Sequence, residues 1–224
     1  MSERNSITQL FIETCHRLAD LDLEIGPSGN MSVRTSNDKV YITPSGSEFR
    51  DISPNNISTI KNLSDSEYIG SKPSSDLELH LAIYGTRSDI KVILHTHAHP
   101  VVVAAMIGAP IPVLNTMHAD YFGKQVQAIP YFNHRQTETE FVEYFKQGDA
   151  FLLGKHGGLL LFSELDIKSI VNTMNAFNEI CSLYYKSLSI PHNLSRNIQE
   201  ISDNDISNIH NYYKTEYGGK SNEQ

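Results

Sequence analysis

The 224 residues are 39% apolar and 20% charged, without tryptophan, which is the make-up of a soluble globular chain long enough for one substantial core. A formal net charge of −8 argues against non-specific binding to nucleic acid or to an anionic membrane, although backbone amides can still build a local phosphate pocket. No apolar run approaches the roughly 20 residues of a membrane-spanning helix, and the opening MSERNSITQL lacks a secretory apolar core.

In chain order, SITQLFIETCHRLADLDLEI predicts a helix with Ile7, Leu10, Phe11, Cys15 and Leu18 on one face. A turn cluster, GPSGN, separates it from two strand-like runs, MSVRT and KVYITP, and a turn-rich piece precedes a third, ISTIKNL. SSDLELHLAIYGTR reads as a helix burying Leu77, His80, Leu81 and Tyr84, capped by Ser75 or Ser74. DIKVILHTHAH is a strand ending in histidines, and PVVVAAMIG is a helical piece. FLLGKHGGLLLF is a buried strand pair broken at a glycine turn. A closing helix runs from about Leu165 to Leu188, with Ser163 and Asp166 as a capping box. Cys15 and Cys181 both fall on apolar helix faces, as buried reduced thiols of a cytoplasmic protein do. This mixture, without a strict βαβ rhythm, implies one domain over residues 1–224, with a mainly antiparallel sheet, helices on its faces and a C-terminal tail from about 191.

Side chains alternate along a strand, so His95 and His97 point the same way and are placed to chelate one cation, unless they form only a polar strand end. His99 shares their face but enters a proline turn, which suits it better to a supporting position. A catalytic zinc takes three protein ligands and an open position. His156 in LLGKHGGLL is the natural third, because glycines beside a buried imidazole imply a close approach of backbone or ligand. Asp76, in the first turn of its helix, either complements the helix dipole or turns towards a metal. Ser74 and Ser75 are either helix caps or part of an anion site, and the turns PSGN and TPSG have the composition of phosphate-binding nests.

Taken together, SGN, ITPSG, KPSSD, LHTHAHP and HGG resemble, in order and spacing, the class II aldolase/adducin family, from about Gly26 to Leu188. The resemblance implies a three-layer α/β/α fold around a mainly antiparallel sheet and a divalent metal, usually Zn²⁺ and otherwise Mn²⁺ or Co²⁺. It also implies a homotetramer with active sites at subunit interfaces. By position, the metal ligands fall on His95, His97 and His156, and the phosphate site on Gly29, Asn30, Ser45, Gly46, Ser74 and Ser75. The acid/base carboxylate falls on Asp76, where aldolases of the family carry glutamate and the epimerase branch aspartate. MHADYFG resembles an epimerase segment and puts a proton-transfer residue at Asp120, while YKTEYGG makes Tyr217 the opposing acid/base, reaching a neighbouring subunit. The stretch RQTETEFVEYFKQGD departs from the epimerase pattern and leaves Glu138 and Glu140 without a clear role. The implied activity is aldol cleavage of a phosphorylated ketose through an enediolate. A ribulose-5-phosphate 4-epimerase-like reaction is the alternative, followed by decarboxylation of a sugar-acid phosphate or a non-catalytic adducin-like module.

Overall fold

The computed structural model describes residues 3–24, 26–64, 67–131, 139–195 and 198–217. Helix α1 (Glu3–Asp20) follows the predicted periodicity, with Phe11, Cys15 and Leu18 fully buried. Strands β1 (Asn30–Arg34), β2 (Val40–Ile42) and β3 (Ser58–Ile60) come next, then a two-residue strand β4 (Tyr68–Ile69) too short to leave a periodic signal. After α2 (Leu77–Thr86), β5 (Val92–Thr96) leads into α3 (His99–Ile107), started by Pro100 in its first turn and ended by Gly108 at φ 73°.

The next stretch carries no clear periodic signal in the sequence. It holds α4 (Thr116–Phe122), β6 (Gln127–Ile129) and α5 (Thr139–Tyr144). Strands β7 (Ala150–Leu153) and β8 (Gly157–Phe162) form the expected pair, followed by α6 (Ile167–Ser187), α7 (His192–Ser195) and α8 (Asp203–Tyr212). What reads as a tail from about 191 therefore carries helices. Ile206 of α8 is buried with Ala119 of α4 and Val113.

Among the described residues, eight strands form one sheet in the order β4-β3-β2-β1-β5-β8-β7-β6, antiparallel except for the parallel pair β6–β7. Alternation along each strand sends side chains into two separate cores. Val92, Leu94, Leu152 and Leu160 meet α1, α3 and α6 on one face. Ile93, Ile42, Phe151 and Leu159 meet Leu77, Leu81 and Tyr84 of α2 on the other. This is the expected three-layer α/β/α arrangement. Among the described residues no helix is long and apolar enough to cross a membrane.

Two expected caps are displaced. Asp76, not Ser75, occupies the N-cap position of α2, with no side-chain capping hydrogen bond, and Ser74 Oγ accepts the Asp76 backbone N–H at 3.3 Å in the turn before it. Helix α6 is capped by Asp166 alone, whose carboxylate accepts the Ser169 N–H at 2.6 Å. The left-handed residue of the β7–β8 turn is also not a glycine: Lys155 takes φ 58° there. Its N–H is tied to the Ala105 carbonyl of α3 at 3.1 Å, and that bond offsets the strain.

Candidate metal centre and anion site

Strand β5 ends at Thr96, so His95 is a strand residue and His97 lies just beyond it, correcting the expectation that both sit on the strand. Thr96 Oγ1 accepts the Ala98 N–H at 3.0 Å, turning the chain into α3 while His97 stays on the His95 side. His156 arrives from the β7–β8 turn, which the antiparallel pairing of β8 with β5 places beside the strand end. The three imidazoles, drawn from positions 95, 97 and 156, meet with ring centroids 4.7, 4.7 and 4.9 Å apart, each pair edge-on. Each offers a ligand atom, and all three atoms lie within 4.8 Å of one another.

The donor set fits a cation. The Gly158 carbonyl can only accept, so the His95 Nδ1 at 3.0 Å from it carries the proton, and Nε2 presents a bare lone pair to the cluster. An imidazole held in this way by a backbone carbonyl is the usual support of a metal ligand. His95 Nε2 and His97 Nε2 are 2.8 Å apart, close enough for two lone pairs to converge on one ion. Burial, then the neighbouring imidazoles, push His95 down to about 3 against the pull of Asp76, which keeps it neutral. Burial likewise lowers His97. His95 is buried while His97 and His156 are half-buried, so the cluster opens to solvent on one side.

The glycines after His156 are close-approach positions. A Cβ on Gly157 would sit 2.4 Å from the Thr96 carbonyl oxygen and 3.3 Å from His95 Cε1. Gly157→Ala should therefore spread β5 from β8 at the cluster and cost about 1–3 kcal/mol. For a chain of this length that is about 3–10 °C in Tm, measurable by calorimetry, together with weaker metal retention.

Asp76, at the start of α2, completes one wall. Its Oδ2 lies 3.7 Å from His95 Nε2 and accepts the Asn30 Nδ2–H at 2.7 Å. Burial alone would raise this carboxyl, but the adjoining His95 imidazole and the Asn30 amide outweigh it and hold it below its ordinary value. Asn30 is the first residue of β1 and pairs with His95, so its side chain emerges on the same face. Beside it, a Cβ on Gly29 would run into the Glu24 carboxylate.

The three candidate phosphate turns converge. Ser74 N–H donates to the Thr43 carbonyl at 3.0 Å and Ser45 N–H to the Lys72 carbonyl at 2.9 Å, stitching TPSG to KPSS. Thr43 in turn bonds Met31 through both its backbone N–H and its hydroxyl, at 3.0 and 3.2 Å, which brings in Gly29 and Asn30. Ser45, Gly46 and Ser75 are exposed at this junction, with Gly46 at φ 74°.

Asp120 is not brought to the imidazoles within the chain. It lines a cavity of about 220 Å³ with Lys168, His210, Tyr213 and Lys214, and none of the three imidazoles lines that cavity. The physical reason is that α4, which carries it, packs on α6 and α8 on the far side of the sheet from α2. His210 Nδ1 is held by the Ala119 and Asp120 carbonyls at 3.0 and 2.7 Å. Burial raises the Asp120 carboxyl. Tyr217 ends the π-helical turn that follows α8, and its side chain, like those of Glu138, Glu140 and His134, lies outside the described residues. His99 is exposed at the start of α3, and His118 is buried with its Nε2 3.0 Å from the Lys124 carbonyl. Sequence reasoning missed Ser32, a small polar residue in a strand whose only signal was its place two residues after Asn30.

A family model described as the Class II Aldolase and Adducin N-terminal domain matches residues 9–185. The chain belongs to the class II aldolase and adducin family. It is 29% identical over 218 residues to an L-fuculose phosphate aldolase of Escherichia coli O157:H7, covering 96% of this chain and 97% of that protein. It is 31% identical over 182 residues to a 5-methylthioribulose-1-phosphate/5-deoxyribulose-1-phosphate aldolase of Rhodospirillum rubrum, covering 80% of each. Among solved structures, an L-fuculose 1-phosphate aldolase superposes with a TM-score of 0.80 at 24% identity, over 96% of this chain and 98% of that one. With aldolases as relatives over nearly its full length, this family member is an enzyme of the metal-dependent aldolase type or a close variant of it.

Proposed function

We propose that this enzyme cleaves a ketose 1-phosphate by a reversible, Zn²⁺-dependent retro-aldol reaction, giving a three-carbon ketone phosphate and an aldehyde. The observation that carries the reading is the meeting of His95, His97 and His156 beside Asp76, at the helix start where the three small-residue turns join. Relatives named as aldolases of fuculose phosphate and of ribulose 1-phosphates support cleavage over other fates.

His95, His97 and His156 would hold the ion, in a cluster that faces solvent on the side of His97 and His156. A bound divalent cation supplies Lewis acidity to the carbonyl and adjacent hydroxyl oxygens of the ketose. Gly29, Asn30, Ser45, Gly46, Ser74 and Ser75 bind the terminal phosphate, so that binding energy remote from the breaking bond orients the substrate. Cleavage removes the proton of the C4 hydroxyl and sends the C3–C4 electron pair into the C2–C3 enediolate. Asp76, held by Asn30, then returns a proton to C3.

Asp120 and Tyr217 act at the aldehyde oxygen from a neighbouring subunit, which is why we infer a homotetramer with shared sites; the placement of Asp120 away from the imidazoles of its own chain supports this. Asp76 and the HADYFG segment favour a second reading, in which the aldehyde rotates and recondenses as in a sugar-phosphate epimerase. The buried thiols of Cys15 and Cys181 suit a cytoplasmic enzyme.

The deciding experiment offers L-fuculose 1-phosphate, other ketose 1-phosphates and L-ribulose 5-phosphate to metal-loaded protein and follows free aldehyde and dihydroxyacetone phosphate. Release of both supports the aldolase, and epimerisation without release replaces it with the second reading. In the same assay Ser75→Asp should raise KM for phosphorylated substrates about 10-fold or more through charge repulsion at the exposed turn, with kcat nearly kept. An unchanged KM would move the phosphate elsewhere.

A further inference from the structure

One fully buried titratable side chain has no part in this chemistry. His80 lies on α2 one helical turn after Asp76, with its backbone N–H on the Asp76 carbonyl at 3.1 Å. Residues four apart share a helix face, so imidazole and carboxylate both project towards the sheet. Each is close enough for its charge to act on the other.

The ring is clamped on one side only. His80 Nδ1 is 2.7 Å from Ser32 Oγ, Ser32 Oγ is 2.8 Å from the Tyr84 hydroxyl, and that hydroxyl donates to the Lys91 carbonyl at 3.2 Å. Ser32 emerges from β1 on the same face as Asn30. His80 Nε2, on the other side of the ring, is buried and finds no hydrogen-bond partner among the described residues. Asn30 Oδ1 is in the same condition, on the amide whose Nδ2 holds Asp76. Two buried polar atoms left open around one carboxylate mark the kind of position that an ordered water fills.

We propose that His80 is a positioning residue for Asp76, acting through an internal water that bridges His80 Nε2 to the Asp76 carboxylate. The Tyr84 hydroxyl gives its one hydrogen to the Lys91 carbonyl, so Ser32 Oγ–H donates to Tyr84 and accepts the His80 Nδ1–H, which leaves Nε2 bare. The water then donates one hydrogen to Nε2 and the other to Asp76. Asp76 is then gripped from two directions, by Asn30 and by the water, and cannot swing from the site. The inference rests on the reading of Asp76 as the proton-transfer group, but the bridge itself is a structural claim.

Two substitutions separate the nitrogens. His80→Gln carries a polar group to the position of Nε2, whereas His80→Asn reaches only the position of Nδ1. A high-resolution crystal structure of the unaltered protein should show an ordered water within hydrogen-bonding distance of both His80 Nε2 and Asp76, retained in H80Q and lost in H80N. With a cleaved ketose phosphate, H80N should lower kcat about 10–100-fold at nearly constant KM, while H80Q stays within about threefold of the parent. No water at that position in the unaltered protein, or equal loss of kcat in the two variants, overturns the proposal. Failure of every ketose phosphate to react would remove the aldolase reading while the crystallographic result still decides the bridge.

Discussion

His97→Ala is expected to abolish metal retention through dialysis and to lower kcat/KM by about 10³-fold or more. The magnitude follows from the role: a Lewis acid at the reacting oxygens contributes several kcal/mol to transition-state stabilisation, and about 4 kcal/mol is a factor of about 10³. His97 is the informative ligand to remove. His95 is buried in β5 and bonded to the Gly158 carbonyl, so its loss would also disturb the β5–β8 pairing. His97 stands past the strand end and is half-buried, so the fold should survive its truncation. Elemental analysis of dialysed protein reads the metal, calorimetry checks the fold, and release of dihydroxyacetone phosphate reads turnover. Stoichiometric metal with unchanged turnover would take His97 out of the site.

Asp76→Asn is expected to lower kcat about 10²–10⁴-fold with KM changed little, the usual consequence of removing a positioned acid/base. The substitution keeps the size of the side chain and an oxygen that can still accept from Asn30 Nδ2, so it isolates the charge and the proton. It also removes a carboxylate 3.7 Å from His95 Nε2, so metal affinity should fall, though less than in His97→Ala. The two effects are separated by assaying at saturating Zn²⁺, where the kcat deficit should persist. A variant that regains full kcat under saturating metal would make Asp76 a support for the ion and not a proton carrier. Unchanged kcat at all metal concentrations would remove it from the chemistry.

The periodic parts of the chain were legible because their faces obey local rules. Ile7, Phe11, Cys15 and Leu18 repeat at helical spacing, and the run before His95 ends where its polar residues begin. Segments without such a repeat were not. Strand β4 has two residues, α4 spans only seven and interrupts its apolar side chains with His118 and Asp120, and α8 buries Ile206 alone. Helix caps were misread by one or more positions, since Ser74, Ser75 and Asp76 are chemically equivalent as caps and only the backbone path chooses between them.

The sequence by itself determined the chemistry available: three imidazoles, a carboxylate at a helix start and three small polar turns, in an order that resembles one family. Tertiary structure alone decided what that chemistry amounts to. The pairing of β5 with β8 and β1 sets His156 and Asn30 beside His95, and the Gly158 carbonyl selects which His95 nitrogen is bare. Packing of α4 against α6 and α8 sets Asp120 in a cavity that none of the three imidazoles of its own chain lines. The division has one physical cause. Periodicity and side-chain identity act over a few neighbouring residues, whereas a distance between residues 60 apart depends on strand order and on how two cores fill, which no local stretch contains.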